Sequence, residues 1–295
     1  MRRILVTGAN KGIGLAIVTA ILDEHDDTFV FLGSRDPGRG RDARQGLIDE
    51  HPGWSDRVEV VELDVSSDAS VAAAAKQVAA STGDDATPLY GVVNNAGIGL
   101  GASDRRAVLE VNTLGVRRVC EAFLPLVRPA DGRIVNVTSA AGPNFVHACS
   151  PERQRFFLDP TVTWPQLKAF IDECLSLDDA AAFEAAGLGD GAAYGLSKAC
   201  ANTYTLLLAR EHPGLRINAC TPGFIETDLT RPYAESQHKE PEDLGMKPPS
   251  AGARAPMFLL FGEPEGSGRY YGSDAERSPL DRYRSPGDPP YTGET

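Results

Sequence analysis

Short apolar runs of strand length alternate along this chain with longer stretches in which apolar positions recur at helical spacing. The short runs predict strands over 3–6, 28–32, 57–63, 90–94, 133–138, 216–220 and a last one near 269–271. The longer stretches predict helices over 12–25, 41–51, 67–81, 104–127 and 192–212, the last stopping at Pro213 and Gly214. Runs such as VFL, GVVN and IVNV carry few charges. Strands of that kind are covered on both faces, so the alternation predicts successive βαβ units: a doubly wound parallel sheet of about seven strands. Two segments break the pattern. Residues 142–191 form an insertion of about 50 residues with helical stretches of its own, PQLKAFIDECL and DDAAAFEAAG. It holds Phe145, Phe156, Phe157, Trp164, Phe170 and Phe183, enough aromatic mass for a small core or a lid. From Ser278 onward the chain is polar and Pro-rich, which predicts a poorly ordered tail over 278–295 after a single domain over 1–277.

Composition narrows the class of function. The 295 residues are 42% hydrophobic and 24% charged, sufficient for one sizeable core. The 29 Lys and Arg against 41 Asp and Glu give a net charge of -12, a field that repels phosphate backbones and anionic lipid. Neither nucleic acid nor a membrane is an expected partner. The opening MRRILVTGAN has no apolar stretch long enough for a secretory signal, and no window is long enough to span a bilayer. Five cysteines, odd in number and without a CxxC pair, suit reduced thiols in the cytoplasm. The five histidines form no ligand pair, so no metal is expected, and His147 reads as surface or lid packing.

The first candidate chemistry is ILVTGANKGIG, a strand feeding a glycine-rich turn and a helix. Gly8, Gly12 and Gly14 give the backbone room to approach a pyrophosphate, and the helix offers its unpaired N–H groups to the anion. A tight turn without ligand is the alternative. A nucleotide-hydrolase loop is excluded because GK[ST] is missing. The second strand ends in LGSRD, where an enzyme selecting NAD would carry an acid for the ribose hydroxyls. Ser34 stands there instead, followed by Arg35, with Lys11 as a second cation. Two such charges favour a 2′-phosphate, hence NADP(H), against the alternative of solvated surface cations. Asp36 is the residue that complicates this reading. Further on, Tyr194 and Lys198 in YGLSK lie four apart, on one face of one helix. An ammonium there is expected to lower the phenol's pKa toward the working range.

The remaining motifs come in a fixed order: LDVS with Asp64 and Val65, VVNNAG with Asn94 to Gly97, EVNTLGV with Asn112, RIVNVTS ending at Ser139, and TPGFIET from Thr221 to Thr227. Together with the glycine turn and YGLSK, this set resembles the short-chain dehydrogenase/reductase superfamily over residues 1 to about 275. The run TGANKGIG, the SRD and the long insertion are similar to the monomeric NADPH-dependent carbonyl reductases and to plant menthone and salutaridine reductases. The resemblance implies an α/β single-domain Rossmann fold with a helical insertion before the Tyr194 helix, and reduction of a ketone, aldehyde or quinone by hydride transfer. It implies that Tyr194 gives the proton, Ser139 orients the carbonyl, Lys198 holds the nicotinamide ribose and Asn112 holds a relay water. For cofactor binding it implies Gly8, Asn10, Lys11, Gly12, Ile13, Gly14, Arg35, Asp64, Val65, Asn95, Ala96, Gly97, Tyr194, Lys198, Pro222, Gly223 and Thr227. A lipophilic carbonyl compound is the implied substrate, in a pocket of residues 98–102, the insertion and residues 224–247. A monomer is expected if the insertion covers the helix at 104–127. An alcohol dehydrogenase running in reverse and a catalytically silent dinucleotide-binding regulator are the competing readings.

Overall fold

The computed structural model describes residues 1–83, 85–99 and 104–293. Among the described residues, seven strands, β1 Arg2–Val6, β2 Thr28–Ser34, β3 Val58–Glu62, β4 Leu89–Asn94, β5 Arg133–Val137, β6 Arg216–Cys220 and β7 Tyr270–Tyr271, form one sheet in the order β3-β2-β1-β4-β5-β6-β7. Every neighbouring pair is parallel. The helices are α1 Gly12–Glu24, α2 Pro37–Glu50, α3 Asp68–Ser81, α4 Arg105–Leu109, α5 Gly115–Phe123, α6 Ala141–Ala148, α7 Pro151–Leu158, α8 Trp164–Ser176, α9 Ala180–Ala185, α10 Ala193–Glu211, α11 Arg231–Ser236, α12 Pro249–Gly252 and α13 Arg254–Phe261. Strand order reverses between β1 and β4. In open α/β sheets the crevice at such a reversal, beyond the carboxyl ends of the strands, is where ligands bind.

Alternation along β1 builds the two halves of the core. Leu5 packs with Phe31, Val92, Phe123 and Leu196 on one face, while Ile4 and Val6 pack with Ile17, Ile21 and Leu260 on the other. The central strands are buried on both faces, as their apolar runs predict. The insertion extends the first of these halves and does not form a separate body. Phe156, Phe157 and Phe170 bring their ring centroids within 4.8 to 5.6 Å of one another. Trp164 meets Tyr204 of α10 edge-on at 6.0 Å and lies under the Arg117 guanidinium of α5 at 4.0 Å. Arg105 of α4 lies over Phe183 and donates to the carbonyls of Cys174 and Leu177. The insertion thus covers the α4–α5 and α10 faces.

The structure departs from the sequence expectations at several points. The single helix expected over 104–127 is interrupted by a π turn at Glu110–Leu114 between α4 and α5. Helix α2 starts at Pro37, not at 41, because the Asp36 carboxylate accepts from the Gly38 and Arg39 N–H groups and caps it. The segment around Leu280 to Arg284, expected to be part of a loose tail, is docked. Leu280 is buried beside Ala219 and Tyr270, and Arg284, paired with Asp274, donates to the carbonyls of Arg277 and Asp288. A polar segment stays bound when one apolar side chain and one buried guanidinium have fixed partners.

Candidate active site

The glycine turn closes β1 onto α1 with almost no free volume. Gly8 has φ +62°, and a Cβ there would lie 2.9 Å from the Ala96 Cα; a Cβ on Gly14 would lie 2.4 Å from the Gly8 carbonyl oxygen. Only glycine fits either position. The turn is braced from β4: the Asn95 Nδ2 donates to the Thr7 and Gly8 carbonyls at 3.0 and 3.2 Å, and the N–H groups of Asn95 and Ala96 both donate to the Thr7 hydroxyl at 3.0 Å. Asn95 therefore shapes the cradle from behind. Helix α1 has no side-chain cap and no acid in its first turn, so its N–H groups remain available to an anion. Asn10 and Ile13 stand half-buried on the same turn, and Gly12 faces Thr227 of the segment after β6. A bare helix N-terminus in a cradle that any side chain would fill fits a dinucleotide pyrophosphate.

At the far end of that cradle Ser34 is buried and donates to the Asp36 carbonyl at 2.7 Å. Asp36 is committed to capping α2, and those N–H donors, Arg39 first, hold its carboxyl below the usual carboxylate range. Arg35 is exposed and so open to an incoming anion. Arg39 is a third cation here, 3.7 Å from Asp36, and the sequence reading did not single it out. Its signal was available: an Arg two residues after Pro37, in the first turn of the helix that follows Arg35, stays near the end of the second strand. Lys11 is paired, its ammonium 2.5 Å from Asp228. Asp64 accepts from the Ser66 N–H and hydroxyl; burial pushes its carboxyl up, but these bonds, with Arg35 and Arg118 nearby, hold it below its ordinary value. Val65 lies buried against Gly115, beneath α5.

The four candidate catalytic residues converge at the carboxyl ends of β4 to β6. Ser139 follows β5, and its hydroxyl accepts from the Ala141 N–H at 3.2 Å, starting α6, close enough to the Tyr194 phenol to act on its protonation. Lys198, 4% exposed, donates to the Val137 carbonyl at 3.2 Å, with its ammonium 5.6 Å from the centre of the Tyr194 ring. A Cβ on Gly97 would lie 3.5 Å from that ammonium and 3.3 Å from the Asn112 Oδ1, so the glycine keeps the approach open. Asn112 sits in the π turn. Its amide accepts from the Ile98 N–H and donates to the Ile98 carbonyl, both at 2.9 Å, and to the Ser197 hydroxyl at 3.0 Å. Ser197 in turn donates to the Tyr194 carbonyl at 2.8 Å. The side chain of Asn112 thus locks the loop after β4 to the Tyr194 helix, a positioning role the sequence did not reveal. A relay water would have to be held by its backbone, which a π turn frees from regular bonding.

Protonation in this pocket differs from the sequence expectation. Burial pushes the Tyr194 phenol above its ordinary range, with Ser139 pulling the other way. Burial also lowers Lys198 to about 8. Spacing alone shows the neighbouring ammonium and not the loss of water, and here the loss of water wins. If only the ammonium form of Lys198 can stabilise negative charge developing on the Tyr194 oxygen, kcat/KM for reduction should fall as pH rises through about 8. A profile flat from pH 7 to 10 would contradict this.

Pro222 and Gly223 follow β6, where Gly223 adopts φ +94° against Ser273, and Thr227 closes the cradle from above. Beyond them Phe224 and Tyr233 are 39% and 44% exposed, their ring centroids 6.1 Å apart. Of the stretch 98–102, Leu100, Gly101 and Ala102 lie outside the described residues, while Ile98 is fixed by Asn112. His147 is exposed on α6.

A nucleotide cradle at the strand-order reversal, with a Ser-Tyr-Lys set beside it, defines a dinucleotide-dependent oxidoreductase site. The chain matches the family described as short chain dehydrogenase over residues 2–150. It is 32% identical over 277 residues to carbonyl reductase (NADPH) 1 of Pongo abelii, covering 90% of this chain and 92% of that protein. Menthone neomenthol reductase from Mentha piperita superposes with a TM-score of 0.74 at 27% identity, covering 92% of this chain and 99% of that one. Salutaridine reductase from Papaver somniferum shares the fold, with a TM-score of 0.75 at 24% identity and the same coverage. The chain belongs to the short-chain dehydrogenase/reductase family. Within it, its likeness is to the carbonyl reductases.

Proposed function

We propose that this protein reduces a lipophilic ketone, aldehyde or quinone to the alcohol with NADPH, using Ser139, Tyr194, Lys198 and Asn112. The observation that carries the reading is the buried Lys198 ammonium 5.6 Å from the Tyr194 ring, with Ser139 near the phenol and Gly97 of the cradle side beside the ammonium. NADPH, when bound, supplies the hydride. Ser139 and Tyr194 then hydrogen-bond the substrate oxygen and polarise the carbonyl. Because burial keeps the phenol protonated at neutral pH, Tyr194 holds the proton that a reduction needs. Lys198, anchored by the Val137 carbonyl, holds the ribose and stabilises charge developing on the phenol oxygen. Asn112 fixes the spacing between the loop after β4 and the Tyr194 helix.

Cofactor selectivity rests on Arg35, with Lys11 and Arg39 beside it, and on the commitment of Asp36 to α2. The exposed Phe224 and Tyr233 rings favour an apolar substrate body. All five cysteines are free and buried, which suits a reducing cytoplasm. NADPH consumption over a panel of ketones, quinones and enones tests the activity: turnover of none, with tight NADPH binding, would favour the silent regulator.

The same reading makes the protein a monomer. The aromatic rings of the insertion are spent on α4, α5 and α10 within the chain and are not left for a second copy. Light scattering is expected to give a mass near 31.4 kDa. A mass of two or four chains at working concentration would overturn this part.

A further inference from the structure

We propose that Asp228 is a built-in competitor for the 2′-phosphate, a carboxylate that occupies the Lys11 cation until the cofactor displaces it; this rests on the NADPH reading above. Asp228 is 217 residues from Lys11 in the chain, yet its carboxylate lies 2.5 Å from the Lys11 ammonium. It is also 3.2 Å from the Arg231 guanidinium, which reaches Glu226 at 3.1 Å. Arg39 acts on it electrostatically as well. The carboxylate thus stands among cations beside the mouth where an anion is to enter.

Its position is built and not incidental. Asp228 lies in a tight turn in which the Thr227 N–H donates to the Thr230 hydroxyl at 2.9 Å and that hydroxyl donates to the Ile225 carbonyl at 2.6 Å. Thr227 itself packs over Gly12, so the turn is seated on the glycine loop. An incoming dianionic phosphate must take Lys11 from Asp228 and also meets the repulsion of that carboxylate. A cofactor with a free 2′-hydroxyl does neither. Asp228 therefore lowers the affinity for NADPH and leaves that for NADH unchanged.

Both partners are more than half exposed, so screening keeps the effect moderate. Fluorescence titration of NADPH and NADH on the full chain tests it, at low and high salt, in the parent, Asp228→Asn and Lys11→Met. Asp228→Asn is expected to tighten NADPH binding by about threefold to tenfold at low salt, with a smaller gain at high salt and no change for NADH. The gain should shrink when Lys11→Met is present. Unchanged or weaker NADPH binding by Asp228→Asn, or an equal shift for both cofactors, would overturn the proposal. A parent that binds both cofactors equally would overturn the 2′-phosphate reading and this inference with it; a parent that prefers NADPH while Asp228→Asn is silent overturns this inference alone.

Discussion

Tyr194→Phe is expected to lower turnover by about 10³-fold or more while leaving NADPH affinity nearly unchanged. The substitution removes one oxygen and keeps the ring, so the packing of α10 against α6 is preserved. What it removes is the proposed proton donor and one of the two groups proposed to polarise the substrate oxygen, each typically worth about 10²-fold or more. Ser139 keeps its hydrogen bond to the Ala141 N–H, so the start of α6 does not depend on the phenol. Lys198→Ala is expected to behave differently, weakening NADPH binding and turnover together, because the proposed mechanism gives its ammonium both the ribose and the phenol. Stopped-flow hydride transfer and cofactor titration on the two variants separate these effects. A Tyr194→Phe protein with near-parental turnover would mean that another group supplies the proton.

The contrast between these two variants follows from features of unequal legibility. Tyr194, Lys198 and the three glycines announce themselves by spacing, because one helical turn and one tight βα turn each need fixed residue intervals. The sheet is equally legible: runs such as LYGVVN and RIVNV can be buried on both faces only inside a layered α/β fold. Helix α6 is not: AGPNFVHA carries Gly142 and Pro143 at its start, and the helical stretches legible in the insertion, PQLKAFIDECL and DDAAAFEAAG, lie further on. The docking of the segment around Leu280 to Arg284 is hidden for a related reason. Leu280 and Arg284 are single residues in a polar segment, and their partners lie in other elements.

Long-range polar pairing is the least legible level of all. The locking of Asn112 to Ile98 and Ser197, and of Lys11 to Asp228, joins residues whose separations carry no local signal. The same holds for the direction in which burial moves Tyr194 and Lys198. Lys198 also carries a cost that its spacing does not show. A group whose folded pKa falls to about 8 from an ordinary 10.5 burdens the fold most below pH 8, and the burden eases as pH rises from 8 toward 10.5. The site holds an ammonium where an apolar side chain would be more stable, as expected for a residue retained for chemistry.

Arg35→Asp is expected to reverse cofactor preference, with NADPH efficiency falling by about 10²-fold and NADH efficiency rising. The parent site lacks an available acid: Ser34 is buried against the Asp36 carbonyl, and the Asp36 carboxylate is spent on the Gly38 and Arg39 N–H groups. An acid at 35 lies on the exposed side of the same turn, where it can accept from ribose hydroxyls and where it repels a 2′-phosphate. Two ion-phosphate contacts are disturbed, the direct one from residue 35 and that of Arg39, whose positive charge the new acid would draw toward itself. Charge-assisted hydrogen bonds are worth about 1.5 to 3 kcal/mol each, which sets the scale of the expected loss. The reversal should also reduce the salt dependence of cofactor binding, because a neutral 2′-hydroxyl releases no counterions. Steady-state kcat/KM for both cofactors in parent and variant decides it. If the parent uses NADH and NADPH with equal efficiency, Arg35 is a solvated surface cation and the selectivity assigned to this end of the cradle is wrong.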